Sequence, residues 1–204
     1  MDTQDLLRGC NNHDNKVSHG VKSMDSTIQT YFKNLDSTDK NLQYEAFNYI
    51  ISVTKEKVDW SYEVWDKLKA DLTHKGSHQR SRAAQFLSNL AISDPEKRIA
   101  NDFPNIWKVT YDPKFVTARH TLQTIWRVGL AGPEQREMVI HHLSDRFLNC
   151  KEEKNCTLIR FDIIQCLKNL YDEVGIEEIK HLALDLIEKE EDLKYRKKYK
   201  TVWK

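Results

Sequence analysis

The residues of this sequence that could do chemistry are scattered along it. Cys10, His13 and His19 stand together near its start, but no second Cys/His pair completes a zinc-binding spacing. His141 and His142 are adjacent; on a helix neighbouring side chains point about 100° apart, so the two do not chelate one ion together. Cys150 and Cys156 flank the charged turn 151–155. No metal and no cofactor are expected. The nucleophile elbow, the phosphate loop, the HExxH helix and the dinucleotide glycine fingerprint are all missing from the sequence. One carboxylate stands apart from the helix caps and i,i+4 partners that account for most of the others. Asp162 directly follows Phe161, and its position predicts Arg127 and His120 of the preceding helical unit as neighbours.

Helices must position these groups. Only six Gly and four Pro interrupt 204 residues, and charge is interleaved with apolar residues at helical spacing. Lys and Arg (32) balance Asp and Glu (31), leaving a net charge of +1 and no global attraction to nucleic acid or anionic membrane. No apolar run approaches the ~18 residues of a spanning helix, so no membrane partner is expected. Residues 1–23 are polar and lack the apolar stretch of a secretory signal; they read as a flexible tail, with residues 24–204 forming a single domain. The four cysteines have no disulfide-framework spacing, which predicts reduced thiols and a cytoplasmic protein.

Periodicity and breakers predict helices over 25–35, 39–54, 60–73, 78–92, 95–110 with a break near 103, 113–129, 133–149, 155–171, 176–189 and 192–203. All four prolines are placed at helix starts, with Pro104 restarting a helix after that break. Gly76, Gly129, Gly132 and Gly175 fall where helix C-termini favour left-handed residues. Aligning the second helix of each pair gives a register, Gln43, Arg80, Arg119, Arg160 and Arg196. Three residues after it stand Ala46, Ala83, Leu122, Ile163 and Tyr199, and seven after it Ile50, Leu87, Trp126, Leu167 and Trp203. These are the core positions; Trp60, Val64, Leu68 and Leu72 make a second apolar stripe. The recurring Arg is expected to bind a carboxylate or carbonyl of the adjacent repeat and fix the stacking angle.

On the segment Arg80-Ser81-Arg82-Ala83-Ala84-Gln85-Phe86-Leu87, and on Asp112-Pro113 followed by Arg119, the chain resembles the HEAT-repeat family of the armadillo-like superfamily. The resemblance covers about residues 25–204 and implies an all-α fold, a right-handed α-α superhelix (solenoid) of about five HEAT-like helix pairs.

In such a solenoid the second helices line the concave surface. Positions one, five and eight after the register then give a groove of Tyr44, Asn48 and Ile51; Ser81, Gln85 and Ser88; His120, Thr124 and Arg127; Phe161, Gln165 and Lys168; and Lys197, Thr201 and Lys204. This lining is polar and mostly uncharged until its basic end, which suits a protein or peptide partner. The expected function is a non-enzymatic protein-binding or scaffolding module. The alternative is a nucleic-acid repair protein. The chain is similar in size and architecture to the HEAT-like alkylpurine DNA glycosylases, a resemblance that would make Asp162 the catalytic carboxylate. It departs from them in lacking a continuous basic stripe.

Overall fold

The computed structural model describes residues 23–204, which contain helices and no strand. The expected tail thus lies, apart from Ser23, outside the described residues. The helices are α1 (Ser26–Asn34), α2 (Lys40–Val53), α3 (Ser61–Asp71), α4 (Ser77–Leu90), α5 (Arg98–Val109), α6 (Phe115–Thr124), α7 (Pro133–Asn149), α8 (Cys156–Val174), α9 (Glu177–Glu188) and α10 (Leu193–Lys200). Tighter 3-10 turns continue four of them, at Ala91–Ser93, Ile125–Leu130, Cys150–Glu152 and Thr201–Trp203. None of these helices is long and apolar enough to cross a membrane.

Local signals explain most of the boundaries. Asp25, Asp39 and Asp192 cap α1, α2 and α10 by accepting from the amides of Ile28 (2.9 Å), Asn41 (2.8 Å) and Lys194 (2.8 Å). Pro133 opens α7. Pro95 and Pro113 stand just ahead of α5 and α6, where Asp94 and Asp112 accept from the amides of Ile99 (2.6 Å) and Lys114 (2.8 Å). Pro104 departs from expectation: α5 runs through it without a break. Ile99, Phe103, Ile106 and Val109 are all buried on one face of α5, and that continuous apolar stripe outweighs the one hydrogen bond that proline forfeits.

Only one of the four glycines ends a helix as expected. Gly175 follows α8 with φ +66°, a conformation that L side chains rarely adopt. Gly76 and Gly132 instead precede helices. Gly129 lies in the 3-10 turn after α6, where an added Cβ would come within 3.2 Å of both methyls of Leu170. Its role is close approach to α8.

The helices form five hairpins, α1/α2, α3/α4, α5/α6, α7/α8 and α9/α10, and the second helix of each packs on the next: α2 on α4, α4 on α6, α6 on α8 and α8 on α10. Ala46, Ile50, Ala83, Leu87, Leu122, Ile163, Leu167 and Tyr199 are essentially inaccessible, as the register predicts. Trp126 and Trp203, assigned to the same core positions, are only half-buried, because each sits in a 3-10 turn that rotates it away from the α-helical register. The stripe Trp60, Val64, Leu68 and Leu72 is buried.

The cysteines correct a second expectation. Cys150 and Cys156 are paired as a disulfide, their Cα atoms 5.3 Å apart. The turn after α7 folds back on itself and brings its two ends within disulfide reach. Cys166 is free and buried. Its thiol donates to the Leu122 carbonyl at 3.0 Å, and burial pushes its pKa well above the usual thiol value. Cys10 lies outside the described residues.

Candidate functional site

Three of the four register arginines act between hairpins, whereas Arg196 bonds within its own, to the Glu190 carbonyl at 2.8 Å and to Glu188 at 3.8 Å. Arg80 on α4 binds Asp112, in the turn of the next hairpin, with a 3.0 Å contact from Nη2 to Oδ1, and donates to the His74 carbonyl at 2.7 Å. Arg119 on α6 binds Asp162 on α8 through Nε (2.7 Å) and Nη2 (3.2 Å). Arg160 on α8 donates to the Phe147 carbonyl and to Glu190, each at 2.9 Å. Two planar donors on one guanidinium fix both the distance and the angle between neighbouring helices. Arg82 makes the same kind of link backward, donating to Gln43 Oε1 (2.9 Å) and to the Leu35 carbonyl (2.7 Å). Gln43–Arg82 and Arg119–Asp162 therefore join a register residue to the residue two past the next register position, with the charge on opposite sides.

Asp162 belongs to this stacking framework. It is 2% exposed, and both carboxylate oxygens are occupied, by Arg119 and by the Gln123 amide at 3.0 Å. The neighbours expected for it are engaged elsewhere. His120 is exposed. Arg127 donates to the Lys55 carbonyl at 3.0 Å, and its guanidinium lies 5.4 Å from the Trp126 ring centroid. Spacing along one helix cannot foresee this, because Arg119 and Arg127 lie about two turns apart and the way α8 settles on α6 selects which of them meets the carboxylate. A glycosylase role would need Asp162 open to a flipped base, whereas here it faces protein donors.

The other groove residues fall into three groups. Tyr44, Asn48 and His120 are exposed. Gln85, Thr124, Gln165 and Lys168 bond mainly within their own helices, to Ser81, His120, Asn169 and Asp172. Phe161 is half-buried, its ring 6.4 Å from that of Tyr199. Ser81 and Ser88, expected on this face, are buried. The reason is the central place of α4, which contacts α2, α3, α5, α6 and the 3-10 turn after α6. The exposed face is thus interrupted at α4.

A cavity of about 400 Å³ that the register does not indicate opens along the turns of the third and fourth hairpins, lined by Tyr111, Asp112, Arg119, Arg146, Glu153 and Asp162. Arg146 is 4% exposed. It donates to the Thr110 carbonyl (2.9 Å) and hydroxyl (2.7 Å) and to Glu153 Oε2 (2.8 Å), and its guanidinium lies 3.8 Å from the Tyr111 ring centroid. Burial raises the Tyr111 pKa, against an opposing pull from Arg146. Both guanidinium groups here are matched by carboxylates, Arg119 by Asp162 and Arg146 by Glu153. Among the described residues, no three His, Cys, Asp or Glu side chains are grouped to hold a metal ion. The sequence signal for this site was weak because Arg146 lies on a first helix, outside the second-helix register.

No family model and no curated protein sequence matches the chain. Among solved structures it is similar to an engineered protein from the Northeast Structural Genomics Consortium, with a TM-score of 0.52 and 15% identity, over 86% of this chain and 77% of the other. A second engineered protein from the same source gives a TM-score of 0.45 and 14% identity, over 78% of this chain and 46% of the other. The first likeness shows the all-helical fold alone.

Asp112 ties this edge to acid stability. Burial pushes its pKa up, but the Arg80 guanidinium and the Lys114 amide outweigh burial, and the net shift is downward. A depressed carboxylate contributes stability that is present above its unfolded pKa, about 3.9, and lost as pH falls through the lower folded value. Urea midpoints measured from pH about 5 down to about 2 should therefore fall more steeply for the wild type than for Arg80→Gln. Parallel curves for the two proteins would show that Arg80 does not depress Asp112.

Proposed function

We propose that the chain is a non-enzymatic binding or scaffolding module of the HEAT type. In this reading its hairpins wind as a right-handed superhelix, and the face carried by α2, α6, α8 and α10 receives a protein or peptide. The observation that carries the reading is the serial packing of the second helices. It commits Arg80, Arg119 and Arg160 to hairpin-to-hairpin ties and leaves Tyr44, Asn48, His120, Gln165 and Lys168 with no bond to another hairpin among the described hydrogen bonds. Side chains of that kind can exchange partners without loosening the stack.

The test is a comparison of faces. A photo-cross-linking amino acid is placed singly at Tyr44, His120 or Gln165, and at the exposed positions Ala100, Glu137 or His181 on first helices. Cross-links to a discrete partner are expected from the first set only. Equal yields from both sets would overturn the assignment of the binding face.

A further inference from the structure

We propose that the basic end of this face, α10 with the adjoining side of α8, is the docking point for an acidic segment of the partner. The inference deepens the binding reading above and rests on it.

Residues 193–204 contain Lys194, Arg196, Lys197, Lys198, Lys200 and Lys204 and no acidic residue. Glu188 takes up two of these cations, Lys200 at 2.6 Å and Arg196 at 3.8 Å. Arg196 is further held by the Glu190 carbonyl at 2.8 Å. Among the described residues no carboxylate pairs with Lys194, Lys197, Lys198 or Lys204, all of which are exposed. Four unmatched ammonium groups on one short helix and its tail make a local positive field in a chain whose net charge is only +1.

The patch is also held in shape. Tyr199 is fully buried and donates to the Thr157 carbonyl at 3.0 Å, fastening α10 to α8. The Lys198 ammonium lies 5.0 Å from the Phe161 ring centroid, and that of Lys168 lies 5.7 Å from the ring of Trp203. Trp203 in turn lies 5.4 Å from Tyr171. Cation–π contact presets these lysines near the surface and lowers the entropy lost when an anion arrives.

Two features favour a carboxylate-bearing peptide over a nucleic acid strand. The half-buried rings of Phe161 and Trp203 are already attended by lysines, which leaves poor platforms for base stacking. The exposed cations without a carboxylate partner are also concentrated at this end, Arg127 in the 3-10 turn after α6 being half-buried and held by the Lys55 carbonyl. Toward α6 and α2 the face turns to Thr124, His120, Asn48 and Tyr44, and the Lys168 charge is matched by Asp172 at 2.6 Å. A phosphate backbone calls for cations along its whole path, whereas a peptide can concentrate its acidic residues at one end.

The experiment measures fluorescence anisotropy with the full chain and three labelled probes. They are a short peptide with glutamates around a phenylalanine, its glutamine counterpart, and a short oligothymidine. The glutamate peptide should bind roughly 10-fold or more tighter than the glutamine peptide. Lys197→Glu/Lys198→Glu/Lys204→Glu should weaken it by roughly 10-fold. Reversing the exposed Lys33, Lys75 and Lys108 should not, and circular dichroism checks that both triple variants keep the fold. Equal binding of the two peptides, or tighter lysine-dependent binding of oligothymidine, would overturn the acidic-segment assignment. Selective cross-linking from Tyr44 and His120 would then still stand, so failure here is separable from failure of the binding reading.

Discussion

Replacing Arg160 by leucine is expected to lower the folding stability by about 3–5 kcal/mol. Arg160 and Glu190 face each other with side chains only 8% and 7% exposed. The same guanidinium satisfies the Phe147 carbonyl at 2.9 Å and lies 4.9 Å from the Phe147 ring. Leucine leaves the Glu190 carboxylate buried without its cation and the carbonyl without its donor. Most of the cost comes from those orphaned groups rather than from the worth of the pair itself. Arg160→Leu/Glu190→Leu should therefore recover a substantial part of the loss, because it removes the uncompensated charge. Urea unfolding of the two single variants and the double variant measures this directly. A loss below about 1 kcal/mol for Arg160→Leu, in the range of a surface pair, would mean that the last two hairpins are not held by this contact.

The second large effect is at Asp162. Asp162→Ala should cost about 3 kcal/mol, since it strands the Arg119 guanidinium and the Gln123 amide that meet at the carboxylate. Arg119→Ala should cost less, because the Arg119 side chain is 35% exposed and water can replace part of what it provides, while that of Asp162 is 3% exposed. In a double-mutant cycle the two should couple by about 1–2 kcal/mol. The conservative Asp162→Asn is informative in a different way. It keeps the shape and removes the charge, and it should still lose more than about 1 kcal/mol, as hydrogen bonds to charged groups do. Were Asp162→Asn to match the wild type in stability, the carboxylate would not be serving the stack, and its spacing behind Phe161 would again call for a chemical explanation.

The contrast between these two sites shows what kinds of feature the sequence makes legible. The helices and most of the fully buried residues follow from apolar spacing and breakers, which operate over three or four residues. Arg80, Arg119 and Arg160 were readable as stacking ties for the same reason: a residue that recurs from repeat to repeat serves something the repeats share, although Arg196 departs from this and bonds within its own hairpin. Trp126 and Trp203 show where that reasoning ends, because a short 3-10 turn changes the rotation per residue without any strong compositional mark.

Asp112, Glu190 and Asp162 as the partners of Arg80, Arg160 and Arg119 were not legible, and neither was the cavity around Arg146. Each pairing joins residues 30 to 43 positions apart, and the angle at which one hairpin settles on the next selects it. The burial of Ser81 and Ser88 has the same origin, since α4 is packed on several sides by helices distant in sequence. So has the Cys150–Cys156 pairing, which depends on how a turn folds back rather than on the count of cysteines. Sequence alone determined that this chain is helical, which faces of its helices are apolar, and that five positions share one register. Tertiary structure alone decided which charges are neutralised within the stack and which, on α10, remain open. Helix formation is governed by neighbours along the chain, and charge pairing by neighbours across it.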